Sequence, residues 1–197
     1  MSKEIEAKFT SINIIELIGK LEQIGAVKVY DERMFRRCVY NLPIDKPGAW
    51  GRIRDEGDKI TMTYKCVTAE HIDSVEEVEI IINDFDKGRA FLSSIGLIEK
   101  AYQESKRMRY VLKDPDVEFD IDTWPALDPW LEVEAESEEL VREYAEKLGF
   151  DWNTARFGSA DFIYASVYNV TEDWINNHCP LLQFDNLPAE LSDDNKR

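Results

Sequence analysis

Strand after strand in this chain carries ions on one face and apolar side chains on the other. The opening SKEIEAKF sets Glu4, Glu6 and Lys8 against Ile5, Ala7 and Phe9. GRIRD sets Arg52 and Arg54 against Ile53, and ITMTYK sets Thr61, Thr63 and Lys65 against Ile60, Met62 and Tyr64. EEVEII opposes Glu77 and Glu79 to Val78 and Ile80, while SKRMRY puts Arg107 and Arg109 on one face. VEFDID and LEVEAE do the same with Glu118, Asp120 and Asp122, then with Glu132, Glu134 and Glu136. A period of two is the signature of a β-strand, because successive side chains point to opposite faces of a sheet.

An open antiparallel sheet with one wet face alternates in the same way. Two features favour a closed one. The polar faces are almost purely ionic, with few Ser, Gln or Asn residues, and the signs are sorted by strand. Acids fall at 4–6, 77–79, 118–122 and 132–136, and bases at 52–54, 65 and 107–109. About eight strands suffice to close a barrel. With its apolar face outward under helices, such a barrel holds the charges inside, where each must be paired or meet a ligand.

The remaining segments supply the helices. Residues 11–25 read as an amphipathic helix with Ser11 as N-cap and Gly25 as stop. Residues 27–42 are extended, and AWGRIRDEGDKITMTYKCV is a hairpin turning at DEGD. A strand at 75–83 leads into a helix at 84–96, capped by Asp84 and closed by Gly96. Strands at 99–112, 116–124 and 129–136 follow, the last two parted by WPALDP. A helix at 137–149 begins at Ser137 and ends at Gly149, and residues 159–169 read as helical. The expectation is one α+β domain over 1–184, an eight-stranded antiparallel barrel forming a tunnel with helices packed outside. A polar tail, 185–197, is expected to fray.

Composition narrows the function. A net charge of −16 argues against nucleic acid or an anionic membrane as partner. No apolar run approaches a membrane span, and the charged N-terminus does not resemble a signal peptide, so a cytoplasmic location is expected. Cys38, Cys66 and Cys179 are odd in number and widely spaced, fitting neither a disulfide framework nor a zinc site, and His71 and His178 are scattered and expected to be exposed. Trp124, Trp130 and Trp152 read as packing residues; of Arg36 and Arg37, the local sequence does not say which faces inward. Arginine forks match phosphate oxygens, and clustered carboxylates suit a hard divalent cation that bridges to them. The ligand those walls call for is a polyphosphate with its metal.

The ordered series of motifs also resembles a known family. It runs E-x-E-x-K at Glu4, Glu6 and Lys8, R-x-R at Arg52 and Arg54, T-x-T-x-K ending at Lys65, and E-x-E at Glu77 and Glu79. The basic strand of Arg107 and Arg109, D-x-D at Asp120 and Asp122, and E-x-E at Glu132 and Glu134 complete it. This pattern, over residues 3–136, is similar to the CYTH superfamily of triphosphate tunnel metalloenzymes. DIDTWPALDPWLEVEAES resembles its class IV adenylyl cyclase-like branch.

The resemblance implies roles. Glu4, Glu6, Glu132 and Glu134 would hold Mg2+ or Mn2+, and Asp122 would join them or orient a water. Lys8, Arg52, Arg54, Lys65, Arg107 and Arg109 would cradle the triphosphate, with Glu77, Glu79 and Asp120 as further tunnel-lining residues. The expected activity is metal-dependent hydrolysis of a triphosphate such as tripolyphosphate, ATP or thiamine triphosphate. The same cradle would serve a class IV adenylyl cyclase converting ATP to cyclic AMP and pyrophosphate. A non-catalytic polyphosphate-binding module is a third reading, disfavoured by the number of acids. The family resemblance also points to a homodimer.

Overall fold

The structure, a computed structural model, describes residues 2–67 and 75–197, with the side chains of 5–66 and 76–197. His71 therefore lies outside the described residues, and of Glu4 only the backbone is described. The strands are β1 (Ser2–Glu4), β2 (Glu6–Phe9), β3 (Val27–Asn41), β4 (Ala49–Asp55), β5 (Ile60–Val67), β6 (Val75–Ile82), β7 (Ile98–Lys113), β8 (Asp116–Thr123), β9 (Trp130–Ala135) and β10 (Leu181–Leu182). The helices are α1 (Ile14–Gln23), α2 (Phe85–Ser94), α3 (Glu138–Lys147), α4 (Asp161–Val167) and α5 (Glu172–Asn177).

The sheet runs β1-β6-β5-β4-β3-β7-β8-β9-β2. Its two ends are consecutive pieces of one N-terminal strand: Ser2–Glu4 pair with β6, and Glu6–Phe9 pair with β9. A single break at Ile5 thus joins the two edges into an eight-stranded barrel, with β10 added in parallel to β7. All other ladders are antiparallel, as the alternation required.

Apolar faces point outward and are covered in three places. Phe9, Val117, Phe119, Leu131 and Val133 pack under Leu17 and Leu21 of α1 and Val141, Tyr144 and Ala145 of α3. Cys38, Tyr40 and Ile53 pack under Phe85 and Leu92 of α2. Helix α2 lies so close that a Cβ on Gly88 would stand 2.5 Å from Cδ1 of both Ile53 and Ile82. Trp124, Trp130, Ile163, Tyr164, Ile175, Leu182 and Leu191 form the third cluster, made by α4, α5 and the C-terminal segment.

Two expectations need correction. The N-cap of α1 is Asn13, whose side chain accepts from the Glu16 amide at 3.1 Å, while Ser11 sits at φ 61° in the turn before it. The polar tail is docked. Leu191 is buried at 2% exposure, the Arg197 amide donates to the Val167 carbonyl at 2.9 Å, and Tyr168 bridges to Lys196. One buried leucine and backbone pairing outweigh a polar composition. His178 is exposed, as expected.

Candidate active site

The barrel encloses a cavity of about 650 Å3, lined by the charged faces that the alternation placed together. Glu6, Lys8, Arg52, Arg54, Lys65, Glu77, Glu79, Arg107, Arg109, Asp122, Glu132 and Glu134 all line it. Asp120 lies beneath the arginines, 2% exposed. Strand register explains the convergence. Glu6 stands opposite Glu134, which stands opposite Glu118; Lys8 stands opposite Glu132, which stands opposite Asp120. On the other side Arg37 stands opposite Arg54, and Arg52 opposite Thr63, which faces Glu79.

One part of the interior is a dense ionic network. The Arg107 fork meets Asp122 at 2.5 and 2.6 Å and also bonds Asp120, with Glu132 at 3.3 Å. Arg109 grips Asp120 at 2.6 and 2.7 Å and reaches Glu118 at 2.6 Å. The Lys8 ammonium bonds Glu6 and lies 3.1 Å from Glu132. Burial works to raise Glu132, but Lys8 and Arg107 override it and hold this carboxylate well below the usual range. Burial pushes Asp122 up, to about 6, against the pull of Arg107. The Lys8 ammonium and the Arg107 guanidinium are buried too, yet their carboxylates hold both charged.

The rest is predominantly basic. Arg52 lies 3.5 Å from Glu79, Arg54 2.5 Å from Glu56, and Lys65 2.8 Å from Glu77. Arg37, not Arg36, turns inward: its Nε donates to Gln103 at 2.8 Å, and its guanidinium lies 4.3 Å from the Trp124 ring. Burial, then Arg52 and Arg54, push Arg37 down, to about 9. A guanidinium nevertheless stays protonated at neutral pH, so this crowding favours an anion. Arg36 points outward to Asp55 and the Phe85 ring.

Sequence reading left Arg37 undecided against Arg36 and passed over Gln103, Lys59, Glu56 and Lys100. Arg37 follows another arginine, so the period of two could not be phased from local residues. Glu56 lies in a turn after β4, outside any alternation, yet is 4% exposed because Arg54 and Lys59 cover it. Trp124 and Trp130 pack as expected, but they also line the cavity.

Among the described residues, no three carboxylate, histidine or cysteine side chains gather closely enough to hold a metal ion by themselves. The donors nevertheless fit a divalent cation. Glu118, Glu134 and Glu6 are in register on three adjacent strands, where like charges repel and cations are drawn in, as Arg109 is to Glu118. The Lys8 ammonium already draws Glu6 and Glu132 to one positive centre. All the donors are hard oxygens, the type that magnesium and manganese take.

Solved structures share this fold. A candidate adenylate cyclase from Vibrio parahaemolyticus superposes with TM-score 0.70 at 13% identity, over 83% of this chain and 98% of that one. The PH1012 protein of Pyrococcus horikoshii OT3 gives 0.63 at 20% identity, over 78% and 94%. HpAC1 from Hippeastrum, an adenylyl cyclase candidate described as having a dominant triphosphatase activity, gives 0.57 at 16% identity, over 83% and 94%. No curated protein matches the chain. Among the described residues no helix is long and apolar enough to cross a membrane. Residues 2–161 match the CYTH domain model, and this chain, with its ionic barrel interior, belongs to the CYTH family.

Proposed function

We propose that this chain is a divalent-metal-dependent triphosphatase acting on inorganic or organic triphosphates. The observation that carries the reading is register inside one cavity: carboxylates face carboxylates at Glu6, Glu134 and Glu118, and guanidinium faces guanidinium at Arg37 and Arg54. Lys8 and Arg109 offset part of the acidic rung, and Glu56 part of the basic one. A phosphate chain with its cation would relieve what remains of both.

Glu6, Glu132 and Glu134, with Glu4 from the opening motif, are the residues that would hold Mg2+ or Mn2+. When bound, that ion supplies Lewis-acid stabilisation of charge on the phosphate oxygens. Arg37, Arg52, Arg54 and Lys65 bind the chain of phosphates and offset the charge that builds on the transferred group. Lys8, Arg107 and Arg109 hold Glu132, Asp120 and Asp122 in place and extend the basic surface. Asp122 lines the cavity and can orient a water. In hydrolysis the water oxygen forms a bond to the terminal phosphorus, the bridging P–O bond breaks with its electron pair passing to the diphosphate or diphosphate ester that departs, and orthophosphate is formed with a proton released to solvent.

The test is incubation with tripolyphosphate, ATP and thiamine triphosphate, with magnesium or manganese, and resolution of the products. Metal-dependent orthophosphate release is the expected result. Cyclic AMP and pyrophosphate from ATP would replace this reading with a cyclase, and tight binding without turnover with a binding module.

A further inference from the structure

Lys100 is absent from every alternating pattern in the sequence, yet it lines the cavity. The cause is an irregularity between β3 and β7. Val39 pairs with Ala101 and Tyr40 with Glu99, so β7 carries one extra residue, Lys100, against its neighbour. Such a bulge re-aims a side chain. Arg37 pairs with Gln103 and Val39 with Ala101, so the bulged Lys100 stands on the same stretch of the β3–β7 ladder as Arg37. Burial lowers the proton affinity of its half-buried ammonium, Asp161 raises it, and Arg37 lowers it again by a smaller amount.

Lys100 and Arg37 differ from the other cations of the cavity. Lys8, Arg52, Arg54, Lys59, Lys65, Arg107 and Arg109 each have a carboxylate within ion-pair distance. Among the described residues no carboxylate is within that distance of Lys100 or Arg37. Asp161 is engaged elsewhere, accepting from Ser159, the Asn176 amide and the Phe162 amide. Arg37 is held by Gln103 and the Trp124 ring, both neutral. Two cations on one half-buried wall, with Asp161 near Lys100 but no carboxylate in ion-pair contact with either, favour an anion of higher charge than one.

That charge distinguishes the end of a phosphate chain from its middle. Near neutral pH a terminal phosphoryl carries roughly two negative charges, whereas a bridging or esterified one carries about one. The wall beside this pair is completed by Ile175 and Asn176 of α5, beyond the residues 2–161 that match the family model. The geometry points to Arg37 and Lys100 as an end subsite for the free terminal phosphoryl of the substrate, so that the protein selects phosphate chains with an unesterified end. The inference rests on the triphosphate reading. It predicts that a triphosphate esterified at both ends binds poorly, whatever the organic groups are.

The test compares binding of tripolyphosphate, ATP and diadenosine triphosphate by isothermal titration, without added metal so that nothing turns over. The wild-type chain is expected to bind tripolyphosphate and ATP, and diadenosine triphosphate roughly tenfold more weakly or worse, the effect of losing a charge-assisted contact. Lys100→Met should lose about tenfold for the two free-ended ligands and narrow the gap to the capped one. Lys100→Arg should restore the discrimination, and melting curves of both variants report that the fold is intact. Wild-type affinities in Lys100→Met, or an equal loss for capped and uncapped ligands, overturns the subsite while leaving the triphosphate reading standing. A wild-type chain that binds no tripolyphosphate, with or without metal, overturns both.

Discussion

Arg37 stands directly opposite Arg54 across the β3–β4 ladder, so two guanidinium groups share one rung of the barrel wall. Among the described residues, Arg54 has a carboxylate at hand, Glu56 at 2.5 Å, and Arg37 has none in ion-pair contact. Cross-strand like charges destabilise a sheet, and burying them raises the cost. The arrangement makes sense for a wall that is completed by an anion. Binding tripolyphosphate should therefore raise the melting temperature far more than orthophosphate at the same concentration. Arg37→Gln should shrink the tripolyphosphate shift and weaken its binding by about tenfold. Equal shifts from the two anions in the wild-type chain would sink the idea of a site built for a phosphate chain.

The acidic wall should respond to metal. Glu132→Gln and Glu134→Gln remove charge from residues proposed to touch substrate only through the cation. Activity against metal concentration should shift to higher metal in both variants and recover partly at excess. Arg52→Ala should instead raise the KM for the triphosphate, with no recovery from added metal. If excess metal rescues all three variants alike, the division into two walls is wrong.

Glu56 gives a pH signature independent of the proposed metal ligands. Burial works to raise this carboxyl, but Arg54 and Lys59 override it and leave it below its ordinary value. A depressed folded value means stability that is present above the unfolded value, about 4.3, and is lost as pH falls through the lower folded one. Glu56→Gln should thus lower stability near neutral pH by about 1–3 kcal/mol and change it little in strong acid. Denaturant midpoints across that pH range are the measurement. A deficit that persists undiminished in acid would mean that the glutamate acts through packing rather than charge.

Much of the barrel was legible in the sequence, because the interior is ionic and strand alternation has a period of two. Arg52, Arg54, Asp120, Asp122, Glu132 and Glu134 each lie in clean alternation, and each faces inward. Legibility failed where alternation failed. Arg36-Arg37 is a pair with no local phase, and only pairing with β4 and β7 assigns Arg37 to the interior. Lys100 is turned by a bulge that depends on the register of two distant strands. The docked tail was missed because a short polar segment carries no periodic signal. Its order comes from Leu191 and from backbone bonds to residues near 168.

The approach of α2 to the barrel makes a packing prediction. Gly88 has no side chain because Cδ1 of Ile53 and of Ile82 fill the place a methyl would take, each 2.5 Å from an ideal Cβ. Alanine favours helices, so propensity alone predicts a gain of about 1 kcal/mol for Gly88→Ala. Overpacking should win instead, for a net loss of about 1–2 kcal/mol in chemical denaturation. A stabilised variant would show that the isoleucines move aside freely.

The C-terminal segment ties the fold to the site. Helix α5 contributes Ile175 and Asn176 to the cavity wall, and the tail pins the helices that carry it. Leu191 is buried against this cluster, the Asn169 amide donates to the Asn195 carbonyl at 2.9 Å, and Arg197 Nε donates to the Tyr168 carbonyl at 3.0 Å. Leu191→Ala should cost about 2–4 kcal/mol, the usual range for a buried leucine. For a domain of this size that lowers the melting temperature by roughly 5 °C or more. Because the tail docks at the C-terminal end of α4 and Leu191 packs in the cluster that includes Ile175 of α5, tripolyphosphate binding should weaken mainly through the Lys100 end of the cavity. Proteolysis should release the residues after 184 first. A variant that melts like the wild-type chain, with its tail equally resistant to protease, would mean that the tail adds nothing to the stability of this wall.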